Sequence, residues 1–189
     1  MAVVLPKLTL EEYLAIERNA EYKSEFYRGE MFAMPGGTAN HSDLAVAIAS
    51  ILRTRLLGRG CKVFNSDLKV RTGTDDLYTY PDLSVVCGER IFADDESDVL
   101  VNPKLIVEVL SRSTEAHDRG FKFQEYKKVA SLQEYVLVSQ SAPLIETFWR
   151  PEGGVWSGYS EARGLDATLV LQSLGLDIPL AEIYRDIEL

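Results

Sequence analysis

Apolar positions along the chain change period several times, and each change marks an element. Thr9 with Glu12 forms a capping box before EEYLAIERN and predicts a short amphipathic helix. YKSEFYRGEMFAMP mixes aromatic and polar residues about Arg28-Gly29, as two strands joined by a tight turn; Pro35-Gly36-Gly37 end the second. From Asn40, HSDLAVAIASILRTRLL carries Leu44, Ile48, Ile51, Leu52 and Leu56 at helical spacing and stops at Gly58. Arg53, Arg55 and Arg59 lie near its C-terminus, where cations complement the helix dipole. CKVFNSDLKVRT reads as a strand or a bent pair of strands, GTDDLYTY as a polar connection, and PDLSVVCG as a strand entered through proline. GERIFADDESDVLVN is acidic and irregular, a surface loop.

The second half repeats the alternation. PKLIVEVLS is a buried strand, DRGFKFQEYKKVA a helix and EYVLVSQ another strand. LIETFWR, VWSGYS and ATLVLQ follow as short strands, and IPLAEIYRDI closes with a helical turn or two. Helices and strands in this order predict a mixed α/β chain (α+β in layering), with one mixed sheet flanked by helices.

With 189 residues, 46% hydrophobic and 26% charged, the chain is expected to form one soluble domain spanning residues 1–189. No apolar run approaches the ~20 residues that cross a bilayer, and the N-terminus lacks a signal-peptide pattern; a cytoplasmic protein with no membrane association is expected. Cys61 and Cys87 have no CxxC spacing and no neighbouring His, and are read as reduced core thiols. A net charge of −9 argues against a broad basic nucleic-acid-coating surface, but not against a cleft that meets phosphates through metal ions. Gly-rich phosphate loops, HExxH and Cys/His zinc sets, and a GxSxG elbow are all missing from the sequence.

The conspicuous residue is Glu108, a carboxylate among Leu105, Ile106, Val107, Val109 and Leu110. An ionised group taken out of water needs a partner, so it is either a buried acid satisfied by Arg, Lys or a backbone donor, or a metal ligand. Asp82, at the entrance of its strand, is either a turn cap or the mate of Glu108 in holding a hard divalent ion. Asp118, Lys122 and Tyr126 share one helical face, as an ordinary i,i+4 pair or with Lys122 directed to a reacting phosphate. Glu30, after the Arg28-Gly29 turn, is a third site carboxylate or a strand-edge charge, and His41 a phosphate or substrate contact or a helix-cap neighbour.

Together, Glu30, Pro81-Asp82, Glu108-Val109-Leu110-Ser111 and the Asp118, Lys122, Tyr126 series resemble the PD-(D/E)XK nuclease superfamily. GEMFAMPGGTANHSDL, EVLSRST and EYVLVS narrow the resemblance to its Uma-type restriction-endonuclease branch, over residues 8–149. The resemblance implies a restriction-endonuclease-like core, often homodimeric. It implies Asp82 and Glu108 as ligands of Mg²⁺ (or Mn²⁺), the Val109 carbonyl as a further ligand, and Glu30 as the acidic residue of the first region. Where the superfamily has Lys two residues after the Glu, this chain has Leu110, and Lys122 takes the matching role.

Two functions follow as expectations. The first is a metal-dependent endonuclease hydrolysing DNA, with Glu30, Asp82, Glu108 and Lys122 in the catalytic set and Lys62, Lys69 or Arg71 against the backbone. The second is a non-catalytic dimeric binding or regulatory protein with a vestigial acidic pocket.

Overall fold

A computed structural model describes residues 7–73 and 77–189. Helix α1 (Leu10–Glu17) has the expected capping box, with Thr9 and Glu12 bonding each other's backbone N–H. Strands β1 (Ser24–Tyr27) and β2 (Glu30–Ala33) form the expected hairpin. Arg28 and Gly29 both have positive φ (48° and 92°), the two-residue turn whose twist matches a hairpin. A Cβ on Gly29 would also lie 2.6 Å from that of Lys7, so the turn needs glycine for space as well as for its φ.

Helix α2 (Ala39–Arg55) buries Leu44, Ile48 and Leu52, three of the predicted positions. The stretch after it is two strands in different sheets, β3 (Cys61–Asn65) and β4 (Lys69–Thr72), separated by a turn in which Asn65 and Asp67 bond each other. GTDDLYTY is not wholly a polar connection: its second half is β5 (Leu77–Thr79), fully buried, while residues 74–76 lie outside the described residues. Then come β6 (Leu83–Cys87), β7 (Val99–Leu100, inside the acidic loop) and β8 (Leu105–Leu110). The expected helix over 118–130 is shorter and starts earlier. It consists of α3 (Glu115–His117), a π turn over Asp118–Lys122, and α4 (Phe123–Tyr126). The chain ends with β9 (Glu134–Ser139), β10 (Leu144–Trp149), β11 (Gly158–Arg163), β12 (Thr168–Leu171), β13 (Leu176–Pro179) and α5 (Leu180–Ile183).

The single mixed sheet expected is instead three sheets. The central one has six strands in the order β11-β10-β9-β8-β6-β3, with β8 and β9 parallel and the other pairs antiparallel. A five-stranded sheet, β2-β1-β5-β4-β7, holds the N-terminal hairpin, and β12-β13 form a ribbon. One face of the central sheet (Leu83, Val85, Val107, Val109) packs on Leu44, Ile48 and Leu52 of α2 and on the C-terminal segment. The other face (Val86, Ile106, Leu110, Leu137) packs on Phe123 and Tyr126. Both faces of β8 are therefore dry, which accounts for its unbroken aliphatic run.

The cysteine expectation is corrected. Cys61 and Cys87 lie directly opposite one another on β3 and β6 and are joined by a disulfide. They are 26 residues apart, so only strand register, not local spacing, brings them together. Among the described residues no helix is long and apolar enough to cross a membrane.

Candidate active site

Strand register builds the acidic pair. Leu83 pairs with Val107 across the antiparallel β6–β8 ladder, so one step before β6 puts Asp82 opposite Glu108 on the same face. Hydrogen bonds tie the pair across the ladder: Asp82 N–H donates to Glu108 Oε2 at 3.4 Å, and the N–H of the next residue, Val109, donates to Asp82 Oδ2 at 2.7 Å. Glu108 is only 3% exposed, so it needs compensation from within the fold.

That compensation comes from the segment after β8. The π turn opens the helix by one residue per turn and buries both Asp118 and Lys122; such turns often mark functional segments. Lys122 Nζ lies 3.2 Å from Glu108 Oε1, and Tyr126 donates its hydroxyl to the same oxygen at 2.8 Å. The expected inward face of Asp118, Lys122 and Tyr126 is thus present. Leu110, where the superfamily has its lysine, is buried in the apolar core, and the amine arrives beside Glu108 from the helix side.

Lys122 also lies 3.2 Å from Glu25 Oε1 and 3.5 Å from Asp118 Oδ1. Glu25, on β1, is a carboxylate of this cluster that sequence reasoning missed, and Glu30 lies where its strand-edge alternative put it. Glu30 is exposed on edge strand β2, opposite Tyr27, and no described contact joins it to the cluster. Glu30 shares a face with Glu25 and Tyr27, so the difference is position: Glu30 lies beside the hairpin turn on the outer strand, whereas Glu25 lies on β1, the inner strand that pairs with β5. That face meets the π turn, where Tyr27 packs edge-on against Phe121. Glu25 also accepts a hydrogen bond from Thr79 of β5, the strand hidden behind the GTDD polar run.

His41 enters from the other side. Thr38 caps α2 by accepting from His41 N–H at 3.2 Å, and the imidazole Nε2 reaches 3.2 Å from Asp82 Oδ2 while the ring also bonds the Val109 backbone. A Cβ at Gly37 would lie 2.9 Å from His41 Nδ1, so glycine there leaves the ring its place. Lys69 is not free for a nucleic acid as expected: it is buried, 2.9 Å from Asp98 Oδ2 and 3.3 Å from the Tyr80 hydroxyl.

Charge in this cluster is lopsided, with Glu25, Asp82, Glu108 and Asp118 set against Lys122 and His41. Burial pushes Glu108 up to about 8, Asp118 and Asp82 push the same way, and Lys122 opposes them. Burial also raises Asp118. For Glu25, burial pulls upward but is outweighed by His117, Lys122 and Thr79, which hold it at about 2. The bond to Asp82 raises His41 against the opposing effect of burial.

A stability prediction follows from Glu108. Its folded pKa is above the ordinary 4.5, so the fold binds its proton more tightly than the unfolded chain does. The corresponding stability is complete below about pH 4.5 and is lost as pH rises through about 8. Glu108→Gln, which stays neutral, is expected to melt higher than wild type without metal. The gap should widen from about pH 6 to about pH 9 by scanning calorimetry; a variant that melts lower throughout would mark Glu108 as a structural ion-pair partner.

The acidic pair opens into a pocket of about 760 Å³ walled by residues 34–38 and His41, by 108–115, and by 139–142. Gln140 joins the walls, with Thr38 Oγ1 donating to its Oε1 at 2.5 Å and its Nε2 donating to Leu110 O at 2.8 Å. Among the described residues no three His, Cys, Asp or Glu side chains gather as a ready-made metal cage. The two carboxylates that do converge, Asp82 and Glu108, offer oxygen donors. They suit Mg²⁺, which takes one or two carboxylates and completes its shell with water and substrate phosphate.

Other proteins resemble this chain in sequence or in fold. The chain is 39% identical over 183 residues to an uncharacterized protein, slr1290, of Synechocystis sp. PCC 6803, covering 95% of this chain and 93% of the relative. A second Synechocystis protein, sll1609, also uncharacterized, is 35% identical over 149 residues, covering 79% and 84%. A crystal structure titled "a putative nuclease belonging to DUF820", from Anabaena variabilis, superposes with a TM-score of 0.76 at 20% identity, covering 94% of this chain and 98% of that one. The core is accordingly restriction-endonuclease-like in fold. With the family model matching residues 10–181, the chain belongs to the Uma2 family, described as "Putative restriction endonuclease".

Proposed function

We propose that this protein is a metal-dependent endonuclease that hydrolyses phosphodiester bonds of DNA. The observation that carries the proposal is the pairing of Asp82 with Glu108 across β6 and β8, with the Lys122 amine 3.2 Å from Glu108 in the wall of one pocket. Asp82, Glu108 and the Val109 carbonyl would hold Mg²⁺ or Mn²⁺. When bound, such an ion supplies Lewis-acid polarisation of a phosphoryl oxygen and lowers the pKa of a bound water.

The chain's own residues prepare the site. Tyr126 and Lys122 fix Oε1 of Glu108, leaving Oε2 on the Asp82 side. His41 and the Val109 N–H fix Asp82 through Oδ2. Lys122 brings a permanent positive charge into a region with little water. There it favours the extra negative charge that a phosphate develops as water attacks. The homodimer belongs to the same proposal; light scattering of the purified protein reads it.

A non-catalytic binding protein is the second reading, favoured by one observation: Lys122 lies within 3.5 Å of Glu25, Glu108 and Asp118 and partners them without a metal. Calorimetric titration with Mg²⁺ separates the two. The nuclease reading predicts saturable binding to wild type and none to Glu108→Ala. Affinity should rise with pH, roughly tenfold per unit, until Glu108 is ionised near pH 8, and then level off. Equal binding by wild type and variant removes the pair as the metal site.

A further inference from the structure

The pocket's cations can be sorted by whether a carboxylate already holds them. Lys122 is shared among Glu25, Glu108 and Asp118. Arg119 is bound at 2.8 Å to Glu115 and also at 2.5 Å to Glu146, which lies outside the pocket. His41 is committed to Asp82. The remaining cation in the lining is Arg112, which is exposed and makes no ion pair among the described residues. It sits in the loop that leaves β8, four residues after Glu108 in the chain.

That loop is rich in hydroxyls. Ser111 Oγ lies 3.0 Å from Ser113 Oγ and 2.9 Å from Thr114 Oγ1, and all three residues line the pocket with Arg112. The opposite wall contributes Ser139 and Ser141, whose hydroxyls are 3.2 Å apart. Hydroxyls and a guanidinium are the donors that grip phosphate oxygens, and Arg does so with a planar fork. A polyanion approaching the acidic pair meets repulsion from its carboxylates and needs a cation nearby to counter it. The committed cations cannot turn to it without unpairing a buried carboxylate, whereas Arg112 can at no such cost.

We propose that Arg112, with the Ser111–Ser113–Thr114 hydroxyls, is a phosphate-binding subsite that holds a backbone phosphate of the nucleic acid next to the one at the acidic pair. This rests on the nuclease reading and deepens it: the overall charge of −9 makes a local, uncommitted cation the attachment point for the substrate. Arg112 acts as a binding and positioning residue and takes no part in proton transfer.

The test is fluorescence anisotropy of a labelled DNA duplex, titrated at several salt concentrations with Glu108→Gln protein so that nothing is cut. Adding Arg112→Ala should weaken binding by roughly five- to tenfold at low salt and reduce the slope of log K against log salt by about 1, the signature of one lost phosphate contact. Arg53→Ala, at the exposed C-terminal end of α2, makes the same change in net charge away from the pocket and should leave both values unaltered. Loss of affinity equal to that of the Arg53 variant overturns the subsite. If that happens while wild type cleaves DNA with Mg²⁺, only the Arg112 assignment falls. If Glu108→Gln protein does not bind the duplex and wild type does not cleave, the nuclease reading falls and takes the subsite with it.

Discussion

Lys122→Met is expected to lower stability by about 3–5 kcal/mol, the cost of removing one partner from a buried ion cluster. In a chain of this size that corresponds to a melting temperature lower by roughly 10 °C. Methionine fills nearly the same volume, so the effect isolates the charge. Without the amine, Glu25, Glu108 and Asp118 face one another, and all three are largely shielded from water. The loss should depend on pH. At acidic pH the raised carboxyls of Glu108 and Asp118 are protonated and the loss shrinks; as pH climbs they ionise and it grows. Coupling identifies the mechanism: Lys122→Met combined with Glu108→Gln should recover part of the lost stability, because one of the unpaired charges is then absent. Denaturation of the four proteins in the cycle measures this, and additive effects would mean that Lys122 and Glu108 do not act on each other.

Asp82→Asn is expected to abolish DNA cleavage, by roughly a thousandfold or more, while the fold stays intact. The asparagine carbonyl can still accept the Val109 N–H that now bonds Asp82 Oδ2, so the β6–β8 junction keeps its geometry. What disappears is one of the two negative charges available to a cation. The melting temperature should therefore change little where Lys122→Met changes it greatly. That contrast separates a residue kept for chemistry from one needed by both chemistry and the core. Loss of cleavage with a large loss of stability would give Asp82 a structural role instead.

Much of this site was legible in the residues themselves. Glu108 stands out because its neighbours are all aliphatic, and the structure buries every position of that strand. Asp82 could be matched to it because Pro81 marks a strand entrance. The four-residue spacing of Asp118, Lys122 and Tyr126 survives even though the helix carrying them is broken by a π turn, since all three remain on its inner side. What could not be read is the work of tertiary pairing. Glu25 and Glu30 sit five residues apart in one hairpin and look alike in sequence. Both lie on one face of the hairpin, and the choice between them depends on which strand is inner: β1 pairs with β5, through Phe26 opposite Tyr78, and brings Glu25 to Lys122, while β2 is left at the edge. β5 itself was obscured because the GTDD run before it looks like loop. The disulfide was hidden for the same reason: Cys61 and Cys87 become neighbours only once β3 and β6 align. His41 gave a helix-cap signal and a site signal, and the structure gives its backbone N–H to the Thr38 cap and its imidazole to Asp82.

The most direct measurement is incubation of supercoiled plasmid with the purified protein in Mg²⁺, comparing wild type, Asp82→Asn and a sample with the metal chelated. Conversion to nicked and linear forms is expected from wild type with metal alone. Intact plasmid with wild type in Mg²⁺ or Mn²⁺, or cutting by Asp82→Asn at the wild-type rate, would contradict it.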